Sequence, residues 1–165
     1  QIAPAPEEAR PTQTFGQTET IQANGETLEL AYIPPAHTDT DISIRYTKAN
    51  VLHCGDVFFN GIYPFIDAGT GGSINGMMTG VERLLSLADN QTRIVPGHGA
   101  VADRAALSRY GDMLAIVRDR VQNLKRSGRS LEEVQSERPT LDLDDAWGKG
   151  FMTPDNFVAL VYGTI

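Results

Sequence analysis

Alternating apolar and polar positions in the first third of the chain predict two β-hairpins. The first covers residues 14–33 and turns at Asn24-Gly25, a pair that favours the positive φ angles of a tight hairpin turn. The second joins an alternating run at 42–46 to a continuous apolar run at 51–54, which is typical of a strand covered on both faces. A further short buried strand is predicted at 92–95.

Apolar residues at helical spacing predict helices after these strands. The two longest cover about residues 73–88 and 104–126, and two shorter ones follow near positions 130 and 154. Three polar residues stand where N-caps are expected: Ser73, Asp103 and Ser130. Because helices follow strands in this order, we expect an α/β fold, a mixed sheet with helices on the outside.

The N-terminal segment and the composition of the chain indicate which classes of protein fit the sequence. Residues 1–13 are rich in Pro, Ala and Glu without an apolar period, which predicts a linker or flexible arm before a single unit at 14–165. Because the chain begins at Gln1 and not at methionine, we expect a processed protein or a piece of a longer one. A net charge of -7 argues against nucleic-acid and anionic-membrane surfaces, and no apolar run reaches the roughly 18 residues of a membrane span.

Three side chains that can bind a metal follow strand-like runs, each where a turn begins: His37, Asp56 and His98. Sites of α/β folds lie at the carboxyl ends of strands, and zinc is bound by imidazole and carboxylate groups. Each residue alone is more often an ordinary loop or turn residue than a ligand. Their shared placement predicts that together they contribute to one metal site.

Neighbouring polar residues have simpler interpretations. His53 lies within a strand rather than at its open end, which favours a structural histidine over a ligand. Cys54, the one cysteine, excludes an internal disulfide and is interpreted as a small buried strand residue rather than a ligand or a reactive thiol. Asp39 and Asp41 are interpreted as solvated or supporting carboxylates, one of which could orient His37 through its other ring nitrogen.

The segments around the three candidates resemble three ordered motifs of the metallo-β-lactamase superfamily. They read PPAHTD at His37, GDVFF at Asp56 and PGHG at His98, and the resemblance covers roughly residues 14–102. The superfamily fold is an αβ/βα sandwich of two similar halves, and its first half carries a His-x-His-x-Asp-His motif that is absent here. The resemblance therefore implies the C-terminal half of such a sandwich only.

The same resemblance implies a metal-dependent hydrolase that cleaves an ester, thioester, lactone or β-lactam bond of a small molecule with a metal-bound hydroxide. The complete enzyme would hold two zinc ions, with iron or manganese as alternatives. His37 would bind one ion, His98 the other, and Asp56 would bridge them. An aspartate at position 56 resembles hydroxyacylglutathione hydrolases and lactonases, whereas one β-lactamase subclass carries cysteine there. Asn60 and Tyr63 follow the bridging residue and are predicted to border the pocket.

A second hypothesis treats the chain as a non-enzymatic half-domain. It would pair with the missing N-terminal half or with a second copy, because an isolated half exposes the face on which the other half packs. On either hypothesis the 165-residue piece alone is expected to be inactive. The resemblance suggests a bacterial periplasmic protein, and the sequence leaves a cytoplasmic one open.

Overall fold

The computed structural model of the chain describes residues 5–165. The linker predicted at 1–13 therefore lies in part outside the described residues, and the part inside contains a short 3-10 turn at Glu7–Ala9. Downstream of this arm, the chain builds one sheet with helices packed on it. Among the described residues, the helices are too short or too polar to cross a bilayer.

The strands form one five-stranded sheet whose spatial order follows the sequence. They are β1 Thr18–Ala23, β2 Glu26–Tyr32, β3 Ile42–Tyr46, β4 Val51–His53 and β5 Arg93–Val95. Strands β1 to β4 are antiparallel neighbours, and β5 joins β4 in parallel after a helical crossover. Asn24 and Gly25 turn the first hairpin with φ angles of 53° and 75°. Both predicted hairpins and the predicted mixed sheet are therefore confirmed.

The helices begin where the polar N-caps predict. They are α1 Ile74–Leu87, α2 Arg104–Arg126, α3 Leu131–Ser136, α4 Asp144–Trp147 and α5 Pro154–Thr164. The side chains of Ser73, Asp103 and Ser130 each accept a hydrogen bond from a backbone N–H of the first turn that follows. The single turn α4 has no counterpart in the sequence-based prediction.

The helices cover one face of the sheet. On this covered face Leu52 of β4 and Ile94 of β5 are fully buried, and they share one hydrophobic core with Leu84 of α1 and Leu114 of α2. Burial of such side chains stabilises the fold by about 1.5–3 kcal/mol each. The core therefore lies between the helices and the covered face.

The opposite face, called the open face below, carries apolar side chains that are only half-buried. One row runs across four strands in register, and its members share this partial exposure: Leu30, Ile44, His53 and Val95. The prediction that residues 51–54 are covered on both faces is wrong for the described part of the chain. The reason is that the helices pack only on the side of Leu52 and Cys54, which leaves Val51 half-buried on the other side.

Candidate metal centre

His37 follows β2 in a turn whose backbone is fixed from two sides. Its carbonyl accepts a hydrogen bond from the N–H of Asp67 at 2.8 Å, and Ala36 donates to the carbonyl of Thr38 at 3.0 Å. A Cβ atom on Gly72 would overlap the His37 carbonyl, so only glycine lets the neighbouring loop come this close. The imidazole is therefore carried by a well-supported backbone although it lies in a loop.

Asp56 lies in the 3-10 turn Gly55–Val57, shortly after β4. The N–H of Gly97 donates to the carbonyls of Gly55 and Phe58, at 2.7 and 3.1 Å, and so joins this turn to the segment that carries His98. Any side chain at Gly97 would overlap the Asp56 carboxylate. The close approach of the two segments therefore requires glycine at this position.

His98 lies just beyond β5. Its carbonyl accepts a hydrogen bond from the N–H of Asn60 at 2.9 Å, and it forms a parallel β-bridge with Phe59. The ring of Phe59 stacks on the His98 imidazole, with centroids 4.8 Å apart and planes tilted by 13°. The bridge and the stacking together orient a ring that is otherwise about half exposed.

The three candidate side chains converge at one end of the sheet. Nε2 of His37 lies 3.9 Å from Oδ2 of Asp56, and Nε2 of His98 lies 3.4 Å from Oδ1 of the same carboxylate. Asp56 thus lies between two imidazoles from distant segments of the chain. Within residues 5–165, no three His, Cys, Asp or Glu side chains are arranged to hold a metal ion by themselves. The convergence is therefore that of an incomplete site, and the metal-binding roles stay predictions.

Asp41 lies on the other side of the His37 imidazole. Its Oδ1 is 3.7 Å from Nδ1 of His37, and its Oδ2 accepts a hydrogen bond from the N–H of Thr38 at 2.8 Å. Asp41 raises the pKa of His37 above its usual value against the opposing effect of burial, and the charge of Asp56 adds to the rise. Burial acts to raise the pKa of Asp41, but the neighbouring His37 imidazole and the hydrogen bond from the N–H of Thr38 outweigh it, so that pKa is lowered. Of the two predicted supporting carboxylates, Asp41 occupies the orienting position and Asp39 is exposed.

Tyr110 of α2 packs beneath the turn that carries Asp56. Its ring lies 5.2 Å from that of Phe58 and 5.9 Å from that of Trp147, between centroids. Its hydroxyl is buried without a hydrogen-bond partner in the part of the chain that the structure describes. Burial raises the pKa of Tyr110 well above its usual value, and the charge of Asp56 acts in the same direction. Tyr110 therefore supports the Asp56 turn from below through aromatic packing.

A cavity of about 370 Å³ opens above the three candidates. Its walls consist of the imidazole and carboxylate groups and three aromatic rings: His37, Asp56, His98, Phe59, Phe65 and Phe151. Phe65 and Phe151 are 43% and 59% exposed, and both were missed as site residues by the sequence reasoning. For Phe65 the aromatic-rich stretch after Asp56 was a usable signal, whereas nothing in the sequence connects Phe151 with His98.

The two residues predicted to border the pocket lie outside this cavity lining. Asn60 donates a side-chain hydrogen bond to the carbonyl of Ala100 at 2.9 Å. Tyr63 is fully buried, stacks on Phe157 with centroids 4.6 Å apart, and donates its hydroxyl to Oδ1 of Asp144 at 3.0 Å. Burial, helped by Asp144, raises the pKa of Tyr63. Asn60 and Tyr63 therefore brace the loop around the site, and a contact of either with substrate stays a prediction.

His53 and Cys54, which the sequence predicts to be structural residues, lie where a structural role is expected. Nδ1 of His53 accepts a hydrogen bond from the N–H of Gly55 at 3.3 Å, and the ring points to the open face. Cys54 is buried, as predicted, and burial raises the pKa of its thiol to about 12. A neutral, buried thiol is a poor nucleophile and a poor ligand.

Comparison with known proteins agrees with the fold. A family profile described as the metallo-beta-lactamase superfamily matches residues 3–98, which is more than half of the chain and includes all three candidate residues. A search of curated proteins returns no match. The profile ends at His98, so the helices α2 to α5 lie outside the matched region.

Solved structures share the fold at low sequence identity. A metallo-beta-lactamase from Pontibacter korlensis is 20% identical over 64% of this chain and 49% of its own, with a TM-score of 0.56. BLEG-1 B3 metallo-beta-lactamase is 21% identical over 64% of this chain and 50% of its own, with a TM-score of 0.55. The inverting sec-alkylsulfatase Pisa1 from Pseudomonas sp. is 18% identical over 90% of this chain and 25% of its own, with a TM-score of 0.65. The chain thus spans half or less of the length of these neighbours.

Proposed function

The chain belongs to the metallo-β-lactamase superfamily, and on that premise we propose that it supplies one half of the active site of a zinc-dependent hydrolase. The proposed reaction is hydrolysis of an ester, thioester, lactone or β-lactam bond in a small molecule. Because the chain spans about half the length of the lactamases that it resembles, the remaining metal ligands are assigned to the part of the fold that this chain lacks.

The observation that carries the proposal is the position of the Asp56 carboxylate between two imidazoles, at 3.4 and 3.9 Å from their Nε2 atoms. Two imidazole nitrogens and a shared carboxylate are a donor set that suits zinc, and iron or manganese would accept it as well. When bound, zinc supplies Lewis acidity and lowers the pKa of water toward about 7.

The chain's own residues have distinct parts in this proposal. His37 and His98 would hold metal through their imidazoles, and Asp56 would contribute the carboxylate between them. Asp41 holds Nδ1 of His37, which keeps the other ring nitrogen free as a ligand. Phe59 fixes the plane of the His98 ring by stacking. Phe59, Phe65 and Phe151 supply apolar walls next to these polar groups.

The test replaces Asp56 in the intact enzyme that contains this chain. Asp56→Asn keeps the shape of the side chain and removes its charge, so we expect metal content and kcat/KM for a phenyl ester to fall by at least about a hundredfold. Asp39→Asn is the matched control, because Asp39 is an exposed carboxylate in the neighbouring turn. Elemental analysis and a hydrolysis assay provide the two readouts. Full metal content and activity in Asp56→Asn would refute the proposal.

The open face favours the second candidate function, that of a pairing half-domain. Leu30, Ile44 and Val51 are apolar, lie in central strands and are only half-buried. Soluble proteins seldom leave such a face without a partner. Light scattering on the 165-residue chain measures the mass directly. A folded monomer of 17.9 kDa would count against pairing with a second copy, whereas a dimer that Ile44→Glu dissociates would support it.

A further inference from the structure

Two exposed phenylalanines line the cavity of the candidate site, one beside each imidazole. Phe65 lies 5.9 Å from the His37 ring, and Phe151 lies 5.7 Å from the His98 ring, between centroids. With 43% and 59% of their surface exposed, both give up much of the stabilisation that burial of an aromatic ring provides. Single exposed apolar residues are common on proteins, but two at the rim of one cavity form a local apolar surface.

Specific packing of the C-terminal segment brings Phe151 to this rim. The N–H of Tyr63 donates to the carbonyl of Trp147 at 2.8 Å, and the Tyr63 hydroxyl donates to Asp144 at 3.0 Å. A Cβ atom on Gly150 would overlap the side chain of Ile62, so glycine is required for this contact. The segment therefore packs tightly on the loop that leads to Phe65, and this packing holds Phe151 at the cavity.

The remaining chemistry of the cavity limits what these rings can hold. Apart from Phe59 and the two phenylalanines, the lining offers only the groups of His37, Asp56 and His98. Within the described residues, no lysine, arginine or hydroxyl side chain lines the cavity. Because the proposed function assigns the groups of His37, Asp56 and His98 to the metals, a charged or strongly polar substituent beside the phenylalanines would lose water without gaining a partner, whereas a hydrocarbon group would not. The volume of about 370 Å³ lies within the range of small-molecule sites.

We propose that Phe65 and Phe151 bind a neutral hydrocarbon group of the substrate, a chain or ring next to the bond that is hydrolysed. This inference rests on the proposed function and names its substrate class, uncharged esters or lactones that carry an apolar group. The reaction adds water across the acyl C–O bond, and its products are the carboxylic acid and the alcohol. Anionic β-lactams and glutathione thioesters fit this half of the site less well.

The first experiment measures kcat/KM of the metal-loaded intact enzyme for p-nitrophenyl acetate, butyrate and octanoate. We expect kcat/KM to rise by up to about fourfold for each added CH2, the ratio that burial of one methylene produces. Phe65→Ala and Phe151→Ala should each lower the octanoate-to-acetate ratio at least about tenfold. Leu141→Ala is the matched control, because Leu141 is also 55% exposed but lies outside the cavity lining, and it should leave the ratio unchanged.

A second measurement separates this inference from the proposed function. The same protein, stripped with a chelator, is titrated calorimetrically with 2-decanone and with 2-butanone, two uncharged ketones that cannot be hydrolysed. We expect 2-decanone to bind more tightly than 2-butanone and Phe151→Ala to weaken it at least about tenfold.

Each outcome bears on one claim. Ester turnover without dependence on chain length, together with no binding of 2-decanone, would overturn the inference and leave the hydrolase proposal in place. Binding of 2-decanone without turnover of any ester, thioester, lactone or β-lactam would refute the hydrolase proposal and keep an apolar ligand site. If neither phenylalanine variant changes either readout, the rings are covered by another part of the intact protein and the inference is wrong.

Discussion

The two faces of the sheet show similar alternation of side chains but opposite exposure. On the covered face Leu52 and Ile94 are fully buried beneath helices, whereas on the open face Ile44 and Val51 are half-buried. Both faces carry apolar residues of comparable size. The difference lies in what packs on them, since the helices contributed by this chain are enough for one face only. The comparison shows that strand patterning reports which side chains are suited to burial and does not report which partner buries them.

Thiol reactivity should differ most between the two faces. Burial raises the pKa of Cys54 to about 12, whereas a cysteine at position 44 of the open face should keep a pKa near 8.5. In a Cys54→Ser background, we expect Ile44→Cys to react with a disulfide reagent at pH 8 at least about a thousandfold faster than native Cys54. Equal rates in the folded chain would show that the two faces do not differ, and equal rates in urea are the control.

Truncation of core side chains should give the next largest difference. Leu52→Ala removes a fully buried side chain and should lower the free energy of unfolding of the 165-residue chain by about 2–5 kcal/mol. Ile44→Ala, the matched change on the open face, should cost about 1 kcal/mol because its side chain is already half-exposed. Urea denaturation measures both. A cost at Ile44 as large as that at Leu52 would indicate that a partner already covers the open face.

A smaller effect is expected at the end of the sheet, where Asp41 contacts His37. Because the pKa of His37 is raised in the folded chain, its protonation contributes fully to the free energy of unfolding below about pH 6.5, and this contribution is lost as the pH rises through the folded pKa. Because the pKa of Asp41 is lowered, its ionisation contributes fully to the free energy of unfolding above about pH 3.9, and this contribution is lost as the pH falls through the folded pKa. Asp41→Asn should therefore cost about 1 kcal/mol near pH 5.5 in the metal-free chain and less at pH 9.

Denaturation curves at the two pH values test this dependence, with Asp39→Asn as the control. A cost that is the same at both pH values would mean that the carboxylate acts through hydrogen bonding to the backbone of Thr38 and not through the imidazole.

The smallest effect is expected where the covered face reaches the edge of the helix layer. Nη1 of Arg45 lies 3.6 Å from Oε2 of Glu29, and the two side chains are 40% and 52% exposed. An ion pair with this exposure contributes little, so Glu29→Gln should change the free energy of unfolding by less than about 0.5 kcal/mol. A loss of more than about 1 kcal/mol in the free energy of unfolding, or a strong dependence of that loss on salt, would show that the well-buried region extends to β2.

Much of the fold could be predicted from local signals. Asn24-Gly25 predicts its turn because positive φ angles are accessible to both residues, and Ser73 and Asp103 predict helix starts because their side chains can accept first-turn N–H groups. Coverage of residues 51–54 could not be predicted. A continuous apolar run has the same appearance whether its second face meets a helix, another half of a fold or solvent.

Some residues of the candidate site could likewise be predicted from the sequence, and others could not. His37, Asp56 and His98 could be selected because all three follow predicted strands, whereas Asp41 could be named only together with Asp39 as a possible orienting carboxylate. The sequence could not show that Phe151 lines the cavity and that Tyr63, which was predicted to border it, does not. Tyr63 turns away from the cavity because Asp144 and Phe157, which are distant in sequence, offer a hydrogen bond and a stacking surface. Long-range contacts of this kind leave no periodic signal.

The attachment of Tyr63 to the segment around Trp147 has a practical consequence for anyone who trims this protein. A shortened version that stops where the family profile ends would retain every candidate metal-binding side chain in its primary structure. It would lose the brace on the loop after Asp56, the aromatic support under that turn and one wall of the cavity. The last third of the polypeptide thus belongs to the same structural unit as the candidate site, and expression boundaries should be drawn to include it.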